Sequence, residues 1–84
     1  MRPYAVFISE MAIASAPRTG LAQERVMKFI RSLADNSNAA GDFQETDKTG
    51  RIVQVKIIGR YAVTYWADHA VSEVKVTHIK SADK

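Results

Sequence analysis

The chain has no cysteine among its 84 residues, which excludes a disulfide framework and thiolate-based zinc sites. It also lacks long apolar runs: none approaches the roughly 18–20 residues needed to cross a bilayer. Behind Met1-Arg-Pro-Tyr the apolar stretch 5–8 is too short for the h-region of a signal peptide. Repeats and low-complexity segments are missing as well. These absences lead us to expect a cytoplasmic protein without membrane association, metal or cofactor. A length of 84 residues predicts a single domain, 1–84, with 46% hydrophobic and 25% charged residues as in an ordinary globular protein. So short a domain buries only about 60–65% of the surface of its unfolded chain, so a partner protein has room to add stability.

Twelve basic against nine acidic residues give a net charge of +3 and a pI near 9.5, which permits nucleic-acid binding without requiring it. From Gly50 to Lys80 the balance is more basic, with Arg51, Lys56, Arg60, Lys75 and Lys80 against Asp68 and Glu73. A solvated sheet surface is the plainer reading of the same residues.

Residues 4–8 form a β-branched and aromatic run that predicts a strand. Ser9 follows as a helix N-cap with Glu10 in the first turn, and a short Ala-rich helix over 11–16 stops before Pro17. The spacing of Ala22, Val26, Phe29, Ile30 and Leu33 predicts a longer amphipathic helix over 21–35, whose apolar stripe reads as core. A turn-rich loop, 36–41, leads to a polar strand at 42–46. Asp47-Lys-Thr-Gly50 is a tight-turn signature with Gly50 free to take positive φ. Strands are expected at 51–58, 60–67 and 71–79, the first broken by Gly59.

The expected class is therefore α+β: an N-terminal strand, two helices of which the second is long, then a three- to four-stranded antiparallel meander. Strand alternation sets Val53, Val55 and Ile57 against Gln54, Lys56 and Ile58, and Tyr61, Val63 and Tyr65 against Ala62, Thr64 and Trp66. In the last strand Val74, Val76 and His78 oppose Glu73, Lys75, Thr77 and Ile79. One face is then apolar and packs on the long helix, and the other carries Gln54, Lys56, Thr64 and Lys75. On this reading His78 sits partly buried beside Val74 and Val76.

This order of elements, the Gly41-Asp42 lead-in to the meander and the segment Val53-Gln-Val-Lys-Ile-Ile-Gly-Arg-Tyr-Ala-Val-Thr-Tyr65 resemble the RelE/ParE toxins of bacterial type II toxin–antitoxin systems. Tyr61 and Tyr65 keep the tyrosine spacing of that family. The resemblance implies a growth-inhibiting toxin that cleaves mRNA at the ribosome or blocks translation, held in check by a cognate antitoxin. Metal-free cleavage needs a base for the 2′-hydroxyl, an acid for the 5′-oxygen and cations around the phosphate. The residues implied for this are Lys56, Arg60, His78 and Lys80, with Arg51, Gln54, Lys75, Tyr65 and Trp66 holding RNA. The chain departs from the family pattern at Ala62, where an arginine follows the first tyrosine, and at Gln54, where a second lysine would help. Arg60, two residues before Ala62, is in phase with it by alternation. The departures leave open a ParE-like inhibitor of DNA gyrase or a degenerate toxin acting as a binding module. Glu45 and Asp47 are candidates for the general base. Each residue also has a structural reading: packing for Tyr65 and Trp66, a solvated charge for Lys56, hairpin surface for Glu45 and Asp47.

Overall fold

The computed structural model describes residues 2–81. Strand β1 (Ala5–Ile8) is followed by helices α1 (Glu10–Ser15) and α2 (Gly20–Ser32), then by strands β2 (Phe43–Thr46), β3 (Ile52–Ile58), β4 (Tyr61–Asp68) and β5 (Glu73–Ser81). All five strands form one sheet in the order β1-β5-β4-β3-β2. The last four make the expected antiparallel meander, and β1 adds to β5 in parallel, with Ala5 opposite Glu73 and Ile8 opposite Val76. The expected α+β class therefore holds.

Local chemistry explains the elements. Ser9 caps α1: its hydroxyl oxygen accepts from Ala12 N–H at 3.1 Å and its proton goes to the Thr77 carbonyl at 2.9 Å. Along α2, Val26 and Ile30 are buried and Leu33 follows at the cap, so the stripe read from spacing is core; Ala22, at the start of that stripe, stays exposed. At Gly41 a side chain is impossible without movement, because a Cβ would lie 2.5 Å from the Val55 carbonyl oxygen. Asp42 N–H donates to that same oxygen at 2.8 Å, which starts the pairing of β2 with β3.

The β3–β4 link sets the faces of the sheet. Only Gly59 and Arg60 separate Ile58 from Tyr61, and Gly59 takes a φ of +59°, as the first position of a type II′ hairpin turn requires. This register puts Val55 opposite Thr64, Lys56 opposite Val63 and Gln54 opposite Tyr65. Cross-strand partners share a face, so the apolar residues of β3 and β4 point to opposite sides. The expectation that Val53 and Val55 join Val63 and Tyr65 against the long helix is corrected here. Val63, Tyr65, Val74, Val76 and Ile79 pack with Ala12, Val26, Ile30 and Leu33 in the core. Val53 and Val55, 4% and 3% exposed, form a separate buried patch with Thr64 on the face away from α2.

A second irregularity corrects the last strand. Thr64 faces His78 but the next pair is Tyr65 with Val76, so Thr77 is an extra residue in β5. Such a bulge shifts the alternation by one. Ile79 thereby enters the core at 1% exposure, while His78 stands on the opposite face, exposed instead of partly buried.

The bulge makes a quantitative prediction for two neighbouring positions. Ile79→Ala should lower stability by about 2–5 kcal/mol, as for other buried isoleucines. His78→Ala should stay within about 0.5 kcal/mol of the parent, as a surface change does. Urea unfolding of both variants checks this; equal losses would contradict the bulged register.

Candidate functional site

The face of the sheet away from α2 holds the chemistry. From β4 and β5 it presents three facing pairs: Trp66 with Lys75, Thr64 with His78, and Ala62 with Lys80. From β2 it receives Glu45, which pairs with Val53. A cleft of about 490 Å³ runs between the β2–β3 turn and β5, where Glu45, Lys48, Thr64, Thr77, His78 and Lys80 meet. Val53 and Met11 give the cleft its apolar lining.

The cleft combines a carboxylate, an imidazole and ammonium groups. His78 Nδ1 lies 3.0 Å from the Thr77 hydroxyl, which fixes the ring at the bulge. An imidazole is the side chain best suited to moving a proton near neutral pH. Among the described residues Lys80 forms no ion pair, so its charge is available to an anionic ligand.

Beside the cleft stands a cation–aromatic cluster. The Arg51 guanidinium lies 3.8 Å from the centre of the Trp66 ring, and the Lys75 ammonium lies at 5.1 Å. Asp47 holds Arg51 at 3.3 Å, while Asp68 and Glu73 hold Lys75 at 3.4 and 3.6 Å. Surface pairs of this kind contribute little stability, and their effect is to fix where the cations point. Asp47 is itself a hub, because its Oδ1 accepts from Thr49 N–H, the Thr49 hydroxyl and Arg51 N–H at 2.9, 2.7 and 3.0 Å.

The structure thus brings together His78 and Lys80 in the cleft, and Arg51, Trp66 and Lys75 beside it. It does not bring Lys56 there. Lys56 shares the face of Val63, lines a groove with Arg25, Lys28 and Phe29 of α2, and pairs with Asp42 at 3.7 Å. Arg60 belongs to the β3–β4 turn, not to the strand expected from residue 60, so alternation does not carry it to the side of Ala62. Tyr65 is 1% exposed, packs edge-on against Phe29 with ring centres 5.5 Å apart, and donates its hydroxyl to the Ala39 carbonyl at 2.9 Å. Burial pushes the Tyr65 hydroxyl above its ordinary 10.0, which keeps it a donor. Gln54 faces the same way and accepts from Gly41 N–H at 3.0 Å. Both tie the 36–41 loop to the sheet.

Thr64 and Thr77 are absent from the site expected from the sequence. Glu45 is a candidate general base there, with hairpin surface as its plainer reading, and the β2–β3 register turns it toward His78's cleft. The two-residue link at Gly59 was the signal that assigns the faces, since it fixes every β3–β4 pair.

Among the described residues no helix is long and apolar enough to cross a membrane, and no three metal-ligating side chains cluster. No protein-family model matches the chain, and no curated protein matches it significantly. Architecture gives a clearer result. The domain is a small α+β unit with two helices before an antiparallel meander, and a solved structure shares that arrangement. It is the toxin–antitoxin complex RelBE2 from Mycobacterium tuberculosis, with a TM-score of 0.60 and 17% identity over 99% of this chain and 97% of that one. The fold is therefore RelE-like.

The β2–β3 turn carries an acid response. Hydrogen bonding by the Thr49 hydroxyl, helped by the backbone N–H groups of Arg51 and Thr49, holds Asp47 below its ordinary 3.8. A depressed carboxylate stabilises the fold above its unfolded value and loses that contribution as pH falls through the folded one. The Thr49 and Arg51 amide resonances should therefore shift in a step below pH 3.8, a step absent from Asp47→Asn. A step at higher pH would contradict the clamp.

Proposed function

We propose that the chain is the toxin component of a type II toxin–antitoxin module, acting in the cytoplasm as a metal-independent endoribonuclease on mRNA at the ribosome. The observation that carries this reading is the cleft on the open face of a RelE-like sheet, where Glu45, His78 and Lys80 meet. RNA cleavage without metal needs those three kinds of group. A base, Glu45 or neutral His78, takes the 2′-hydroxyl proton. The 2′-oxygen then bonds to phosphorus, the bond from phosphorus to the 5′-oxygen breaks, and the protonated partner supplies the proton to that oxygen. Lys80 offsets the charge that builds on the phosphoryl oxygens, and Lys75 holds a neighbouring phosphate. The products are a 2′,3′-cyclic phosphate and a 5′-hydroxyl.

An antitoxin is the proposed protein partner. The structural neighbour is a toxin–antitoxin complex, and Phe7, Met11, Ile13 and Leu21 are all more than half exposed here. Apolar side chains left so open suit coverage by a partner chain.

One feature favours a second reading. Ala62 faces Lys80, and both Lys56 and Arg60 stand outside the cleft, so fewer cations surround a phosphate than the family resemblance implies. A non-catalytic inhibitor of DNA gyrase, or a degenerate toxin that only binds protein, needs none of them.

Induced expression separates these. The nuclease reading expects growth arrest with messages cut at ribosomes, and release of arrest when the antitoxin is co-expressed. His78→Ala and Lys80→Ala should each slow cleavage by about 10²–10⁴-fold while leaving the unfolding midpoint in place. Filamentation with DNA damage and whole messages would overturn the nuclease and support the gyrase reading.

A further inference from the structure

A second cavity, of about 300 Å³, opens beside the cleft between the 36–41 loop and the end of the β3–β4 hairpin. Ser37, Asn38, Gln54 and His69 contribute polar groups to its wall, and Arg51 and Trp66 contribute flat ones. Its volume is at the lower end of small-molecule sites. We propose that this cavity takes one unstacked nucleobase of single-stranded RNA, stacked on the Arg51–Trp66 pair and read at its edge by Asn38. The inference rests on the RNA-directed reading above and adds a subsite to it.

Three observations converge on a base. The guanidinium and indole already form a stack at 3.8 Å, and the Arg51 side chain is 43% exposed, so the pair offers a planar cationic surface to a third ring. Arginine planes and aromatic rings are the usual platforms for splayed-out RNA bases. Asp47 pairs with Arg51 at 3.3 Å, which favours this placement of the guanidinium.

The wall next carries edge-reading chemistry. Asn38 is exposed on the loop and presents one acceptor and two donor positions, the pattern that pairs with a base edge. Gln54 spends its carbonyl oxygen on Gly41 N–H, so its amide N–H₂ remains to donate. The loop bearing Asn38 is pinned by the Tyr65 hydroxyl on Ala39, so the reading group stands on a fixed support.

Position is the third observation. The Asp47–Thr49 turn lines the cleft and Arg51 lines the cavity, so the Asp47–Arg51 pair links the two. Trp66 and Thr64 are successive residues on one strand face, roughly 6.5–7 Å apart. Thr64 faces His78 and Trp66 faces Lys75. A base in the cavity thus brings its own backbone past Lys75 toward the proton-transfer groups. An apolar peptide would leave Asn38, Ser37 and Gln54 facing carbon.

Trp66 is the single tryptophan of the chain, so its fluorescence reports the cavity directly. His78→Ala protein, in which cleavage is slowed, is titrated with pentamers of uridine, adenosine, cytidine and guanosine, and separately with the matching DNA. The expected result is saturable quenching that differs among the four RNAs. Arg51→Ala and Arg51→Lys should weaken binding by about 5- to 150-fold, the lysine variant keeping the charge but not the plane. Asn38→Ala should flatten the preference among bases, with urea midpoints showing that each variant is folded. Binding that leaves Trp66 emission unchanged and survives all three substitutions would overturn the base site while the RNA reading stands. Binding of none of the RNAs overturns it too, and the growth-arrest assay then shows whether the toxin reading survives on its own. Equal quenching by DNA and by protein-derived acidic peptides would overturn the assignment to RNA.

Discussion

Two residues, Gly59 and Arg60, join the central strands, and the whole distribution of chemistry over the sheet depends on how short that link is. A two-residue turn with positive φ at its first position leaves one register for β3 against β4. In that register Val63 and Tyr65 face the helices while Val53 and Val55 face away. The sheet therefore has something to bury on both sides. On one side α2 covers the core, and on the other the β2–β3 turn and Met11 line a cleft beside the smaller apolar patch of Val53 and Val55. A link one residue longer would put Lys56 on the open face and expose the valines of β3 in a different pattern.

The bulge at Thr77 does for β5 what the turn does for β3. Without it, strict alternation would bury His78 beside Val76 and send Ile79 to solvent. With it, Ile79 fills the core and His78 comes out over the cleft. Ser9 secures the arrangement, since its N–H donates to the Val76 carbonyl at 2.9 Å and its hydroxyl to the Thr77 carbonyl at 2.9 Å. The residue that starts α1 thus also holds the irregularity that positions the imidazole. Bulges beside functional clefts commonly re-aim a side chain in this way.

Local signals made the elements legible in the sequence. The stripe of Val26, Ile30 and Leu33, the Ser9 cap, the Asp47–Gly50 turn and the β-branched runs each specify their own backbone, and the RelE-like arrangement follows from their order. Partnership between strands was harder to read, because alternation says which residues of one strand share a face but not which face the next strand matches. Hence Arg51, Trp66, Lys75, His78 and Lys80 do stand on one side, while Lys56, Gln54 and Tyr65 stand on the other and Arg60 lies in the turn. Glu45 could be read either as a general base or as hairpin surface until its pairing with Val53 set its direction.

The parallel pairing of β1 with β5 has a consequence for how the protein is made. Ala5 meets Glu73, so the contact that closes the sheet joins segments nearly the full length of the domain apart. The strand that β1 needs is also the last of the five to leave the ribosome. Until β5 arrives, β1 and α1 have no sheet to lie on, and the face that α2 covers is missing Val74, Val76 and Ile79. Non-local closure of this sort comes late and slowly in folding. A nascent chain lacking its final strand has neither His78 nor Lys80 in place, so any such cleft is assembled only after translation of the domain is complete.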